Sequence, residues 1–249
     1  MPTKPGQIQV IILAAGDGKR MKSSLPKVMT LLRGRPLIDH VATNVEAAGF
    51  MKPVVVVSKK NTLVQEYLKD RAEYVIQEEQ LGTGHAVAAT EPYVRGRADH
   101  IVVLYGDMPF LQPRSIRRLV ESHLSHHATL SMLTATTPDF DSWRGVFKTF
   151  GRVVRDREGH IQKIVEAKDA TPDELTMREL STSDFCFEAN WLWDHVPRLE
   201  KNNAQKEYYL VDLLAMAIRE GVKIALPSIP VEEVVGVNTR DDIVLAEQL

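Results

Sequence analysis

The chain of 249 residues contains one cysteine, Cys186. No internal disulfide and no cysteine-based zinc cluster can form, which suits a reducing compartment. Net charge is almost absent too, at −2 near neutrality. That balance sets up no global field for nucleic acid or an anionic membrane, so any electrostatic recognition has to be local. No apolar run approaches the roughly 18 residues of a spanning helix, and the opening "MPTKPGQ" lacks the apolar centre of a signal peptide. Internal repeats and low-complexity linkers are missing as well. These absences read as a soluble, cytoplasmic protein.

What is present is ordinary globular usage, with 44% hydrophobic and 26% charged residues. A chain of this length buries roughly 70–75% of its unfolded surface and supports one large or two small domains. Short apolar runs at Ile8–Leu13, Val54–Val57 and Ile101–Leu104 predict strands buried on both faces. Helical patterns fall between and after them, at Leu37–Ala48, Asn61–Lys69, Gly84–Tyr93 and Pro113–Leu124. The alternation predicts a doubly wound, Rossmann-like α/β core over about residues 1–130. Beyond the run Thr129–Ala135 the pattern changes. Gly151–Asp156, His160–Val165 and Asp184–Glu188 read as strands with short turns, "DREGH" among them. Helices at Trp191–Leu199 and Tyr208–Glu220 and a strand at Lys223–Leu226 follow. The expected architecture is a mixed, mainly parallel sheet with an α+β lobe over about residues 131–238, and a final helix starting within residues 239–249.

Three stretches carry candidate chemistry. "LAAGDGKRMKSSLPKV" follows the first strand, at the carboxyl edge where α/β sheets bind ligands. A dinucleotide fingerprint fails here, because Met21 stands at the third glycine and Ser58-Lys59-Lys60 replaces the ribose-binding acid. A P-loop fails for want of Gly-Lys-Ser/Thr. What remains is Lys19, Arg20, Lys22 and Lys27 on a glycine turn, which suits either a triphosphate or a solvated basic loop. In "VVLYGDMP", Asp107 follows a buried strand and its glycine, a place for either a Mg²⁺ carboxylate or a plain turn. In "QEEQLGTGHA", Thr83 is a natural helix N-cap. The exposed backbone of that turn, with the Gln77 amide, can also read a nucleobase edge such as uracil. The histidines of "HLSHH" at 123–127 read as a solvated helix terminus and His85 as structural.

Together with "FGRV", "IVEAKDA", "NNAQKEYYLVDLLAMA" and "EVVGVNTRDDI", these stretches resemble the sugar nucleotidyltransferase family, and within it the bacterial N-acetylglucosamine-1-phosphate uridylyltransferase domains. The motifs run in the family's order over residues 8 to 243. The resemblance implies the nucleotide-diphospho-sugar transferase fold, UTP and a sugar 1-phosphate as substrates, Mg²⁺ as cofactor, and no nucleic-acid or membrane partner; self-association is left open. It also implies roles by position. Leu13, Ala14, Ala15 and Gly16 would line the nucleotide with backbone atoms, and Arg20 and Lys27 would hold the triphosphate. Gln77, Gly82 and Thr83 would bind uracil. Tyr105, Gly106 and Asp107 would flank the phosphates. Gly151 and Glu166 would contact the sugar. Asp107 and Asn238 would hold Mg²⁺. Tyr208 and Tyr209 are expected to pack rather than touch ligand.

The sequence departs from the family's pattern in three respects. Ser181-Thr182-Ser183 stands where the family has Asn-Thr-Gly, whose Asn touches the sugar, so Ser181 bears on acceptor choice. "TPDFDSWRGVFKTF" is longer than expected and predicts a reshaped sugar loop. Family members commonly add an acetyltransferase of hexapeptide repeats, and these 249 residues contain none. Two rivals are another sugar 1-phosphate as acceptor and a non-catalytic UDP-sugar-binding regulator.

Overall fold

The computed structural model describes residues 7–16, 18, 25–203 and 205–249. The first strand, β1 (Ile8–Leu13), is followed by a short ribbon of β2 (Leu31–Leu32) and β3 (Arg35–Pro36) that leads into α1 (Leu37–Ala47). Next come β4 (Val54–Ser58), α2 (Leu63–Leu68), β5 (Glu73–Gln77), α3 (Thr83–Ala88), α4 (Glu91–Val94) and β6 (His100–Tyr105). Helix α5 (Pro113–Ser125) and β7 (Leu130–Thr136) precede the hairpin of β8 (Arg152–Arg155) and β9 (Ile161–Val165). The chain continues through α6 (Pro172–Leu175), β10 (Glu179–Glu188), α7 (Ala189–His195), α8 (Asp212–Glu220), β11 (Ile224–Ala225), β12 (Ser228–Ile229) and α9 (Arg240–Gln248).

The sheet order is β11-β7-β10-β6-β1-β4-β5. β1 lies parallel between β4 and β6, and Leu13 is in register with both Val56 and Tyr105. All three strands therefore leave the sheet at one level. Their aliphatic side chains are buried on both faces, because helices cover each side. One core cluster includes residues of α1, α2 and α5, and the other residues of α3, α7 and α8. The expected parallel core is thus observed, with one addition. The strands assigned to a lobe, β7 and β10, continue the same sheet, β10 running antiparallel to β6 and β7. Off its main row are the β8–β9 hairpin, which pairs with β10, and β12, which pairs with β7.

Two expectations are corrected, and a strand that the sequence did not announce is added. Glu73–Gln77 is an edge strand whose apolar run, Tyr74 to Ile76 between Glu73 and Gln77, is too short to announce it. The helix expected over Gly84–Tyr93 is two helices, since Pro92 inside one helix would remove a hydrogen bond and clash with the preceding turn. His123 is buried rather than solvated. It extends the buried stripe Ile116, Leu119, Val120 of α5 by one more helical step. Its ring nitrogens meet Ser131 Oγ at 2.9 Å and His100 Nδ1 at 3.1 Å, and burial pushes its pKa down to about 4.

The long segment before Gly151 forms a 3₁₀ helix, Ser142–Thr149, packed through Phe140, Trp143, Phe147 and Phe150. Buried Arg152 closes its end. The guanidinium donates to the carbonyls of Phe147 (3.2 Å) and Phe150 and lies 4.9 Å from the Phe140 ring centre. Among the described residues no carboxylate accompanies it, and its pKa is lowered by burial.

Candidate active site

The site forms where β1, β4 and β6 end. Ala14 N–H donates to Val56 O at 2.9 Å and Gly106 N–H to Leu13 O at 3.0 Å, so the two loops touch through main chain. A Cβ on Gly106 would sit 3.1 Å from that Leu13 oxygen and 3.1 Å from Val28, which is why this position carries glycine. Leu13, Ala14 and Ala15 are buried and Gly16 is exposed at the rim. Gly18, at φ +59°, lies so close to Lys27 that a Cβ would approach its Cβ to 2.8 Å. Lys19, Arg20 and Lys22 lie outside the described residues.

Lys27 begins a 3₁₀ turn, Lys27–Met29, after Pro26. Its ammonium ion-pairs with Asp107 Oδ2 and donates to Asn238 Oδ1 at 3.0 Å. Asp107 and Asn238, remote in sequence, are therefore brought to one positive centre. Val237 N–H donates to Asp107 O at 2.9 Å, and the carboxylate of Asp242 accepts from the N–H groups of Asn238 and Thr239, both at 2.8 Å. Thr239, not Asn238, caps α9, in a capping box with Asp242. Asn238 is left facing the centre.

The turn before α3 departs from expectation at Thr83. Gly82, at φ +112°, is the N-cap and Thr83 the first helical residue. A Cβ on Gly82 would come within 2.6 Å of Tyr208 O, because the segment ahead of α8 straps this turn down. Gly84 N–H donates to Tyr208 O and Tyr208 N–H to Leu81 O, each at 2.8 Å, and Thr83 Oγ1 accepts from Leu210 N–H at 3.0 Å. Gln77 is buried; its amide nitrogen donates to Gly82 O and approaches His85 Nδ1, both at 3.1 Å. It holds the turn's shape with the structural His85. Tyr208 stacks on His85, as a packing residue would.

Tyr105 joins the sub-sites. Burial pushes its phenol up, and the carboxylates of Asp184, Asp107 and Glu166 push the same way, while the Thr83 side chain acts against them. The phenol stays a neutral donor. Gly151, Glu166 and Ser181 also meet: a Cβ on Gly151 would lie 3.4 Å from Glu166 Oε1 and 3.5 Å from Ser181 Cβ. Ser181, however, is buried, and its hydroxyl contacts Met132 Sδ at 3.2 Å. That hydroxyl thus donates into the core in this structure, on the side of β10 away from solvent. Glu166 lines a cavity of about 500 Å³ shared with Asp169, Lys201, Lys206, Tyr209 and Asp212. Burial raises its pKa, and Asp169 and Asp212 add to the shift. Tyr209, expected only to pack, faces this cavity. Asp184 and Asp212 were not signalled by the sequence. Asp212 matches the family stretch around it, whereas the burial of Asp184 depends on a strand irregularity that no local pattern announces.

Strand ends that gather a carboxylate, an amide and an ammonium, flanked by a strapped glycine turn, have the layout of a nucleotide-handling α/β domain. The MobA-like NTP transferase domain family matches residues 10–147, more than half of the chain, and the chain belongs to that family. Over 238 residues, 95% of its length, the chain is 37% identical to the bifunctional protein GlmU of Clostridium botulinum, covering 50% of that protein. It is 38% identical over 240 residues, 96% of its length, to the bifunctional GlmU proteins of Exiguobacterium sp. and Desulfitobacterium hafniense, covering 52% and 51% of them. The chain spans about half the length of these curated relatives. Among the described residues no helix is long and apolar enough to cross a membrane.

Proposed function

We propose that the chain transfers a uridylyl group from UTP to N-acetylglucosamine 1-phosphate, giving UDP-N-acetylglucosamine and pyrophosphate. The observation that carries this reading is the convergence of Asp107 and Asn238 on one positive centre at the strand ends. An acceptor phosphate oxygen bonds to the α-phosphorus as the bond from that phosphorus to the bridging oxygen breaks, and the electron pair leaves with pyrophosphate. The attacking group is already an anion, so no protein nucleophile is needed. The barrier lies in bringing two anions together, which makes positioning and charge neutralisation the main work.

Mg²⁺ is the cation proposed. A carboxylate oxygen and an amide oxygen are the hard donors it prefers, and those of Asp107 and Asn238 already share a positive partner, the Lys27 ammonium. When bound, the ion supplies charge neutralisation between the two phosphates. Lys27, together with Arg20 of the basic loop, offsets charge on the departing pyrophosphate. The Gly82–Thr83 turn holds the uracil, and the Tyr105 phenol donates at the junction of phosphate and sugar. Glu166 accepts from sugar hydroxyls at the cavity it shares with Asp212.

The deciding measurement is pyrophosphate release from UTP and Mg²⁺ with a panel of sugar 1-phosphates. Release with N-acetylglucosamine 1-phosphate above all others is the expected result. A preference for another sugar 1-phosphate is the second reading, favoured by the commitment of the Ser181 hydroxyl to Met132. Tight UDP-sugar binding with no release for any acceptor would replace both with a binding protein.

A further inference from the structure

β10 brings another acid to this centre. Asp184 is fully buried, and among the described residues neither of its carboxylate oxygens has a hydrogen-bond partner. The nearby Thr182 hydroxyl is spent: it donates to Leu133 O at 2.9 Å and accepts from the N–H of Asp184 itself at 3.2 Å. Burial pushes the Asp184 pKa up to about 8 and the Asp107 carboxylate adds to the shift, while the Thr182 side chain and the Tyr105 N–H favour the charged form. A carboxylate sealed from water without a partner is among the costliest groups a fold can carry. An orphan of this kind calls for an ion or a water to complete it.

The backbone explains how it comes to lie there. β10 spends the positions from Ser181 to Phe185 where β7 advances only from Thr134 to Met132. The extra residues form a bulge that turns through Ser183 at φ +63°, a conformation that favours glycine. Phe185 pairs with Val103, so Asp184 abuts the end of β6, just upstream of Gly106 and Asp107.

We propose that Asp184 is a third protein residue of the divalent-cation centre, its buried carboxylate acting with Asp107 and Asn238 to hold the ion. The proposal rests on the reading of Asp107 and Asn238 as cation ligands. It predicts a free protein that binds the cation more tightly than one carboxylate and one amide account for.

The test is Mn²⁺ binding to the full chain, followed by the electron paramagnetic resonance of free ion and by the thermal shift the ion produces, with and without UTP. Wild type is compared with Asp184→Asn, Asp184→Leu and Asp107→Asn. Removing the Asp184 carboxylate should weaken Mn²⁺ about 10-fold and shrink the thermal shift, while the cation-free unfolding temperature stays the same or rises. Asp107→Asn should weaken Mn²⁺ at least as much. Unchanged affinity in a folded Asp184 variant, with Asp107→Asn impaired, overturns the proposal and leaves the nucleotidyltransferase reading standing. So does a change confined to the KM of the sugar phosphate. Unchanged affinity in Asp107→Asn, or no Mn²⁺ binding by wild type with or without UTP, overturns both.

Discussion

β1, β4 and β6 carry buried aliphatic side chains through their middles, with Ser58 and Tyr105 at the ends of β4 and β6, whereas β10 crosses the same level with Ser181, Thr182, Ser183 and Asp184. On the first side, ligand-facing groups come from main chain and from residues just past the strand ends. On the second, polar groups lie inside the sheet, and an arginine without a carboxylate, Arg152, pins the neighbouring insertion. The side proposed for the nucleotide therefore keeps its chemistry at the edge of an apolar sheet. The side proposed for the sugar gives up stability to place polar groups in its interior, as expected where a site and not a core is being specified.

The largest effect expected from breaking this contrast is at Asp107. Asp107→Ala should lower kcat by about 10²-fold or more, with circular dichroism unchanged, because the residue lies past the strand and not within it. A turnover within threefold of wild type would show that the edge chemistry is elsewhere. On the β10 side the expected loss is in stability. Arg152→Met takes the guanidinium donor from the Phe150 carbonyl, while Phe147 O keeps the Phe150 N–H, and should cost about 2 kcal/mol in denaturant unfolding. Wild-type stability would mean that the aromatic packing alone holds the insertion.

The third effect concerns the seam between the two halves, where His123 of α5 meets His100 of β6 and Ser131 of β7. Its folded pKa of about 4 lies below the ordinary 6.5. The unfolded chain therefore takes up this proton first as pH falls, and stability held above 6.5 drains away towards 4. Over that window the loss is about 2–3 kcal/mol. His100, also lowered by burial with Asp99 and Glu188 acting against the shift, adds to the same trend. Urea unfolding of wild type and His123→Gln at pH 7 and pH 4.5 measures it, the variant showing the shallower decline. The smallest effect is Ser183→Gly. Relief of the φ +63° conformation, less the entropy glycine loses on folding, should raise stability by about 0.5–1 kcal/mol. A loss instead would mean that the Ser183 side chain earns its place by contact.

The same contrast explains what the amino-acid order reveals. β1, β4 and β6 are legible because strands buried on both faces need unbroken aliphatic runs. β5, exposed along one side, has no such run. Asp107 and Lys27 stand out by their positions after a strand and after a proline. Asn238 does not: nothing in its local spacing points to Asp107, and only resemblance to a family pairs them. Thr83 has the chemistry of an N-cap, yet the Tyr208 main chain forces Gly82 into that position. His123 lies on a readable apolar stripe, and weighing it with its neighbours His126 and His127 obscures that. Asp184 is hidden more deeply, because "STSDFCF" reads as an ordinary polar-to-apolar strand entry and the bulge that buries it arises from pairing with two other strands.

The Lys27 ammonium bonds to groups 80 and 211 positions further along the chain. Contacts of such long range form late, because the intervening chain must be ordered before they close. During synthesis, β1, β4 and β6 emerge well ahead of Asn238, so the sheet's central strands exist before the centre they serve. A polypeptide shortened ahead of Asn238 keeps all three of these strands and still lacks one of the oxygens on Lys27. Recovery of activity in refolding is therefore a report on the whole chain, and it trails spectroscopic signals that follow the sheet alone.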